Sequence, residues 1–510
     1  MKNSRIVALL LAILIVAVPI FSVAESVYPL AGSPTLTYWM PLNAGVAKYI
    51  KSYDENYAYA KMQEITGVDI EWIHPAAGQE TEQFNLMMAS RDKPDLIAMA
   101  NKYDGGEYQG VRDGVFLDLT DLIEKYAPNY WNLLQTHEDF RRTAVDKDGM
   151  IAAFCTYKEP GDPPASRLII HESTMQAIGE TVPETIADWD RIFEKIYATG
   201  VIPYLLAANG VEPIFVGAYD TYPGFYVNLE GKIEYGYITE GFRQYLTQMH
   251  EWYEKGYITK DFTSLDSNTR RTKFDSGEIA VLADAIVATF NRAVKAGNPI
   301  ISTPYTTVER GATLHWIDAD VEPRWINNEN TTAISAKCEN VEAALRFLDF
   351  AYSEEGIELL NWGVEGVNWD WVDGQRVYND LMLKNELYTT ENASYIYKVH
   401  FATKYTQRAT YCHANLLASP ASLAIRFQYN DNYDYAFYLS SFITYDEDDA
   451  VRRAELMADI NTYVNEMVLK FITGVEPMSN FDKYVQTVRS MNIDEVLDII
   501  TKGYTEYMSK

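Results

Sequence analysis

His250-Glu251-Trp252-Tyr253-Glu254 is the nearest approach in this chain to a zinc-binding helix. A zinc helix offers two histidines one turn apart on one face; here the second ligand would be a glutamate. The stretch lies inside Phe242 to Lys255, whose apolar residues (Phe242, Tyr245, Leu246, Met249, Trp252, Tyr253) recur at helical spacing, so it reads as an ordinary amphipathic helix. The seven histidines do not cluster, and Cys412 and His413 are adjacent rather than at ligand spacing. Asp146-Lys147-Asp148-Gly149 has the Asp-x-Asp start of a calcium loop, but no ligand set follows and the segment reads as a turn. No Gly-x-Ser-x-Gly elbow, phosphate-binding Gly-Lys-Ser/Thr loop or His-Glu-x-x-His motif occurs. Paired carboxylates for glycoside hydrolysis stay open, because 72 acidic residues always include candidate pairs. No catalytic residue, metal or cofactor is therefore expected, and binding is the simplest task.

The composition agrees. The chain has 510 residues, 47% hydrophobic and 23% charged, enough for two or more domains with real cores. Its formal net charge is −29, opposite to what a nucleic-acid binder needs. Three cysteines, Cys155, Cys338 and Cys412, cannot make a disulfide framework. Aromatic residues are abundant: 38 Tyr, 20 Phe and 10 Trp. Rings of this kind stack on sugar faces while amides and carboxylates bond hydroxyls, but they also pack cores.

Residues 1–24 have the form of an export signal. Lys2 and Arg5 precede an uncharged apolar run, Ile6 to Phe21, and Ser22-Val23-Ala24 supplies small residues for cleavage. The alternative is an uncleaved membrane anchor. No cysteine sits near the cleavage point, so no lipid anchor is expected.

Strand and helix patterns alternate from there. Leu36 to Met40, Val68 to Trp72 and Asp95 to Met99 read as strands, with helices over Val46 to Thr66 and Glu82 to Ser90 between them. Further strands are expected over Met150 to Cys155, Arg167 to His171, Ile279 to Ala283 and Thr331 to Ala336. Helices are expected from the Thr185 cap, over Asp284 to Ala296, Val341 to Tyr352 and Glu354 to Trp362, and through most of Glu447 to Tyr507. This order predicts an α/β fold with mostly parallel sheets. In such sheets ligands sit beyond the carboxyl ends of strands. That rule selects Trp39, the loop Asn101-Lys102-Tyr103, and Asp284, which could equally be a helix N-cap.

Several segments together resemble bacterial extracellular solute-binding proteins of family 1, the sugar-type receptors of ABC importers. Leu86-Met87-Met88-Ala89-Ser90-Arg91-Asp92-Lys93-Pro94-Asp95-Leu96-Ile97 is similar to a Met-x-Ala-Ser-Gly-Asp-x-Pro-Asp-Ile segment. Trp252 to Phe262, Phe274 to Ala280, Asn340 to Gly356, Asn361 to Trp369 and Phe471 to Gly474 follow in the family's order. The resemblance implies a two-lobed, type II periplasmic-binding-protein (Venus-flytrap) fold with a hinge. It implies lobes of 25–155 plus 332–385 and 156–331 plus 386–510, crossing near Phe154–Lys158, near Thr331–Ala336 and within 375–395. It places Tyr222 and Phe225 in the second-lobe binding segment. Trp362, Glu365, Asn368 and Trp369 join the candidates, each with a plain alternative: the tryptophans as core, Glu365 and Asn368 as braces for a Gly-rich turn. The implied activity is capture of a carbohydrate, an oligosaccharide by preference, by an exported monomer that delivers it to permease subunits. A secreted carbohydrate-active hydrolase and a sensor-linked receptor are the alternatives.

Overall fold

The computed structural model of the chain describes residues 27–42, 46–158, 164–317, 331–372, 374–388, 390–399, 406–407, 420–440 and 443–510. The export segment and Cys412 lie outside them. The first sheet uses β1 (Thr35–Trp39), β2 (Asp69–Ile73) and β3 (Leu96–Ala98). β4 (Tyr157–Lys158) follows, then the second lobe's β5 (Ser166–His171), β6 (Ile202–Leu205), β7 (Phe225–Val227), β8 (Ile233–Tyr235), β9 (Ile279–Ala285) and β10 (Ile300–Ser302). β11 (Thr332–Ile334), the hairpin of β12 (Trp369–Val372) and β13 (Gln375–Tyr378), and β14 (Thr406–Gln407) complete the strands among the described residues.

Two four-stranded sheets result, ordered β11-β3-β1-β2 and β10-β5-β9-β6. β1 pairs in parallel with β2 and β3, as the β-α-β order requires, and β11 returns antiparallel beside β3. In the second sheet only β6 and β9 are parallel; β5 runs against both β9 and β10.

Each sheet has its own core. One gathers Leu168 to Ile317 with Ile425 to Ile500. The other gathers Leu36 to Tyr157 with Ile334 to Val399, and a smaller cluster around Trp39 and Phe84 lies on the opposite face of the first sheet. The chain therefore passes between cores three times: between Tyr157 and Leu168, between Ile317 and Ala333, and between Val399 and Ile425. Two passages lie side by side, with Tyr157 and Lys158 in register with Thr406 and Gln407. The first also touches the second, through a bridge of Phe154 to Thr332.

The third passage is later than the expected 375–395. Residues 375–378 instead fold back on 369–372 as a hairpin, and Thr390–Tyr397 is a helix. Ala393, Tyr395, Ile396, Tyr397 and Val399, assigned by the sequence to the second lobe, pack in the first core. Asn56 fixes them there: its buried Nδ2 donates to the carbonyls of Tyr395 and Lys398, both at 2.9 Å.

Two other elements differ from expectation. The first helix begins at Tyr57, not Val46, because Asn56 caps it by accepting from the Tyr59 N–H. Met150 to Cys155 makes no strand of its own beyond the Phe154 bridge. The Asp146 turn forms as read: its Oδ1 accepts from the N–H groups of Asp148 and Met150, and Arg112 holds its other oxygen.

Candidate functional site: an aromatic cluster and a polar loop

The second lobe carries a cluster of half-buried rings around Tyr222 and Trp316. Tyr222 stands on a loop held from beneath by Gly236. A side chain at Gly236 would bring its Cβ to 1.7 Å from the Tyr222 carbonyl oxygen, so only glycine lets the two backbones meet. The Gly236 N–H donates to Gly224 at 2.8 Å, and the buried Thr221 hydroxyl bonds the Thr239 hydroxyl at 2.8 Å. Tyr222 meets Trp316 edge to face at 4.7 Å. Trp316 is placed in turn by backbone pairing of 314–315 with 432–437: Leu314 donates to Asn432, Asp434 to Leu314 and Phe437 to His315. His315 Nδ1 lies 3.0 Å from the Asp434 carboxylate, which holds that acid below its usual range against the opposing pull of burial. Tyr222, Trp316, Tyr435, Phe437 and Tyr438 then surround a small cavity of about 50 Å³. Phe225 sits apart, its ring 4.8 Å from Tyr235 across the β7–β8 pair.

A buried ion pair locks this wall to the sheet. Arg167 on β5 reaches both oxygens of Asp431, and the Tyr305 N–H donates to Asp431 Oδ1 at 2.8 Å. The guanidinium lies between the rings of Tyr305 and Tyr429, 5.4 and 5.6 Å from their centres.

Asp284 ends β9 on the same side, in register with Arg167. It is not the cap of the next helix, Ile286–Lys295, which starts after Ala285 with no side-chain cap. Its carboxylate takes both Nε and Nη2 of Arg271 at 2.9 Å and the Thr289 hydroxyl at 2.9 Å. Burial alone would raise this acid; those donors hold it low and ionised.

The first lobe contributes the loop after β3. Met99 adopts a left-handed conformation and turns the chain. The N–H groups of Ala100 and Asn101 then donate to the Thr331 carbonyl and hydroxyl, which ties the loop to the second passage between lobes. The Thr331 hydroxyl donates in turn to Asn101 Oδ1 at 3.3 Å. Lys102 is exposed. Tyr103 donates its hydroxyl to Asp113 at 2.9 Å and stacks edge-on against Phe116. Desolvation and that carboxylate raise its pKa, keeping it a neutral donor.

The remaining candidates are elsewhere. Trp39 is buried against Phe84 and lines a groove of about 530 Å³ beside the helix Glu80–Ala89, with Thr37, Ile73, Gln83 and Met87. Trp362 and Trp369 are buried in the first core. Asn368 is fully buried and braces the turn before it: Oδ1 accepts from Val364 N–H and Nδ2 donates to the Trp362 carbonyl. That turn needs Gly363, at φ +92°, because a Cβ there would lie 2.4 Å from Asn368 Oδ1. Glu365 is exposed on the same turn. Among the described residues no three His, Cys, Asp or Glu side chains gather as a metal site.

Residues 43–358 match the family model described as bacterial extracellular solute-binding protein. The chain belongs to that family. This solute-binding protein is 24% identical over 271 residues to the fructooligosaccharide ABC transporter substrate-binding protein FusA of Streptococcus pneumoniae, covering 49% of this chain and 50% of that one. It is 23% identical over 357 residues to lipoprotein LipO of Bacillus subtilis, covering 65% and 67%. The chain thus spans half the length of the first of these relatives and about two thirds of the second. Solved structures share its two-lobed type II fold. FusA in complex with kestose superposes with a TM-score of 0.61 at 19% identity over 93% of this chain and 99% of that one. An extracellular solute-binding protein from Bifidobacterium longum subsp. infantis does so at 0.68 and 15%, over 93% and 98%. No helix among the described residues of the solute-binding protein is long and apolar enough to cross a membrane.

Trp316, Tyr435, Phe437 and Tyr438 were not among the residues selected from the sequence. For the last three a signal is present: 429–438 reads Tyr-Asn-Asp-Asn-Tyr-Asp-Tyr-Ala-Phe-Tyr, rings interspersed with amides and carboxylates.

Proposed function

We propose that this solute-binding protein captures an oligosaccharide between its lobes and hands it, chemically unchanged, to the membrane permease of an ABC importer. The observation that carries the reading is the architecture, two separately cored lobes joined by three passages, with a cluster of rings, Tyr222, Trp316, Tyr435, Phe437 and Tyr438, on one of them. Rings bind the apolar faces of a sugar, and the loop Asn101–Tyr103 on the other lobe supplies amide, ammonium and phenol groups for its hydroxyls. Neither wall alone encloses a solute. A ligand that touches both favours the closed arrangement by its differential affinity for it, and closure is what a permease reads. The names of relatives point the same way: FusA carries fructooligosaccharide in its name, and a Bacillus subtilis relative 20% identical over 328 residues is named a polygalacturonan/rhamnogalacturonan-binding protein. In this reading Asp284 acts by holding Arg271 on the second lobe, and the protein works outside the cell membrane after export.

A thermal-shift screen tests it. A ligand at 100 times its Kd stabilises the folded state by about 2.7 kcal/mol, a readily measured rise in Tm. Oligosaccharides should give that rise. A response to peptides or phosphorylated solutes and to no oligosaccharide contradicts the proposal.

A further inference from the structure

Besides the three passages, the lobes also touch through the helix Ile493–Ser509. Its Ile493, Val496 and Ile500 lie in the second core. Gly503 lets it lie flush on 443–445, where a Cβ would come within 2.6 Å of Ile443 Cγ2. The Lys502 ammonium bonds Asp446 and Asp449 at 2.7 and 2.8 Å. The helix is thus fixed to the second lobe along most of its length, and its end reaches the first. Tyr507 is 3% exposed yet belongs to neither core. Its hydroxyl lies 3.4 Å from the Thr143 hydroxyl and 3.5 Å from the Asp139 carbonyl, both on the first-lobe helix Glu138–Ala144. Arg141 of that helix donates from Nη1 to the Lys510 carbonyl.

The turn that follows the first-lobe helix adds charge to the same seam. Asp146 opposes the lowering that burial imposes on the Lys510 ammonium. Lys502 holds the Asp446 carboxyl low, and Lys147, next to Asp146, adds to it. The first-lobe helix bears on a passage between lobes as well: the rings of Phe140 and His137 stand 5.3 and 4.8 Å from that of Tyr157 on β4. One short helix therefore touches both a crossing strand and the end of a helix rooted in the other lobe. Rotation of one lobe against the other about the passages must slide or break the Tyr507 and Lys510 contacts.

We infer that this seam is a latch: Tyr507 and Lys510 of the second lobe, seated on Asp139, Arg141 and Thr143 of the first, hold one mutual arrangement of the lobes and so bias the hinge equilibrium. A solute that needs a different arrangement binds more weakly by the fraction of molecules that reach it, so the seam tunes affinity without touching the solute. The latch is independent of what the solute is.

Double electron-electron resonance on the full chain, without solute, tests it. Spin labels go on Glu64→Cys of the first-lobe helix Tyr57–Thr66 and on Glu194→Cys of the second-lobe helix Ile186–Ala198, both exposed positions. Cys155 and Cys338 are buried, and Cys412→Ser removes the third thiol. Arg141→Ala and Tyr507→Ala should each broaden and shift the distance distribution between the labels. Val496→Ala, in the second core on the same helix, should lower Tm and leave the distribution as it is in the labelled parent. Distributions superimposable on the parent's for both seam variants overturn the latch, and so does an equal change with Val496→Ala. Either failure leaves the oligosaccharide reading standing, because no solute enters the measurement.

Discussion

Arg167 and Asp431, 264 residues apart in sequence, form a fully enclosed ion pair that fastens the stretch 429–438 to β5. Each exposes no more than 3% of its side chain. Breaking one side of such a pair leaves an uncompensated charge in the interior, which costs about 3–5 kcal/mol. Arg167→Ala and Asp431→Ala should each lower unfolding free energy by about that amount in urea titrations, whereas Arg167→Met combined with Asp431→Leu should recover most of it. If the double variant is no better than the singles, the cost lies in packing rather than in the orphaned charge.

Gly236→Ala tests the seat of Tyr222. The new methyl would meet the Tyr222 carbonyl oxygen, a backbone atom that cannot swing away. Overpacking of this kind costs about 1–3 kcal/mol and should move the Tyr222 ring. The variant should show a lowered Tm and weakened oligosaccharide binding together. Gly231→Ala, at a position with nothing within 4 Å of the added carbon but φ +79°, should lower Tm without touching affinity.

Removing the rings themselves should separate binding from folding. Tyr222→Ala and Trp316→Ala each delete a large apolar face from the pocket. Loss of about 1.5–3 kcal/mol per buried ring corresponds to a weakening of roughly ten- to a hundred-fold. Calorimetry should show this for any oligosaccharide that binds. Asn368→Ala, which unbraces the Gly363 turn, should instead cost stability and leave affinity unchanged.

Asp349 predicts a pH dependence. It is buried in the first lobe, where burial raises its pKa to about 6, even though its oxygens accept from the Tyr130 N–H and Asn129 Nδ2. A carboxyl raised in the folded state binds its proton more readily there than in the unfolded chain. Its contribution to stability is therefore full below the unfolded value near 3.9 and is lost as pH rises through about 6. Wild type should gain on Asp349→Asn as pH falls from 7 to 4, by about 3 kcal/mol at most. A difference that does not vary with pH would refute the assignment.

The frame was legible because period-2 and period-3.6 patterns are local. Tyr38 and Leu36 point into one core, and the residues of the helix Glu240–Glu254 fall on its buried face as spaced. What depends on distant partners was not. The first helix is cut short by Asn56, whose amide is held by carbonyls 339 and 342 residues away. The third passage was placed too early because 375–378 closes a local hairpin on 369–372. At the proposed site, strand-end reasoning selects Asp284 and the loop at Asn101, and the resemblance selects Tyr222. Trp316 and Phe437 become neighbours of Tyr222 and Tyr226 only through the backbone pairing of 314–315 with 432–437, which no short-range pattern encodes.

The central claim is that the protein holds a glycan and returns it intact. Equilibrium dialysis against a mixed oligosaccharide library, followed by mass spectrometry of what is retained and then released on unfolding, tests it most directly. The account predicts one or a few oligosaccharides, enriched near one equivalent and unchanged in mass. Retention of no carbohydrate, or recovery only of cleavage products, would contradict it.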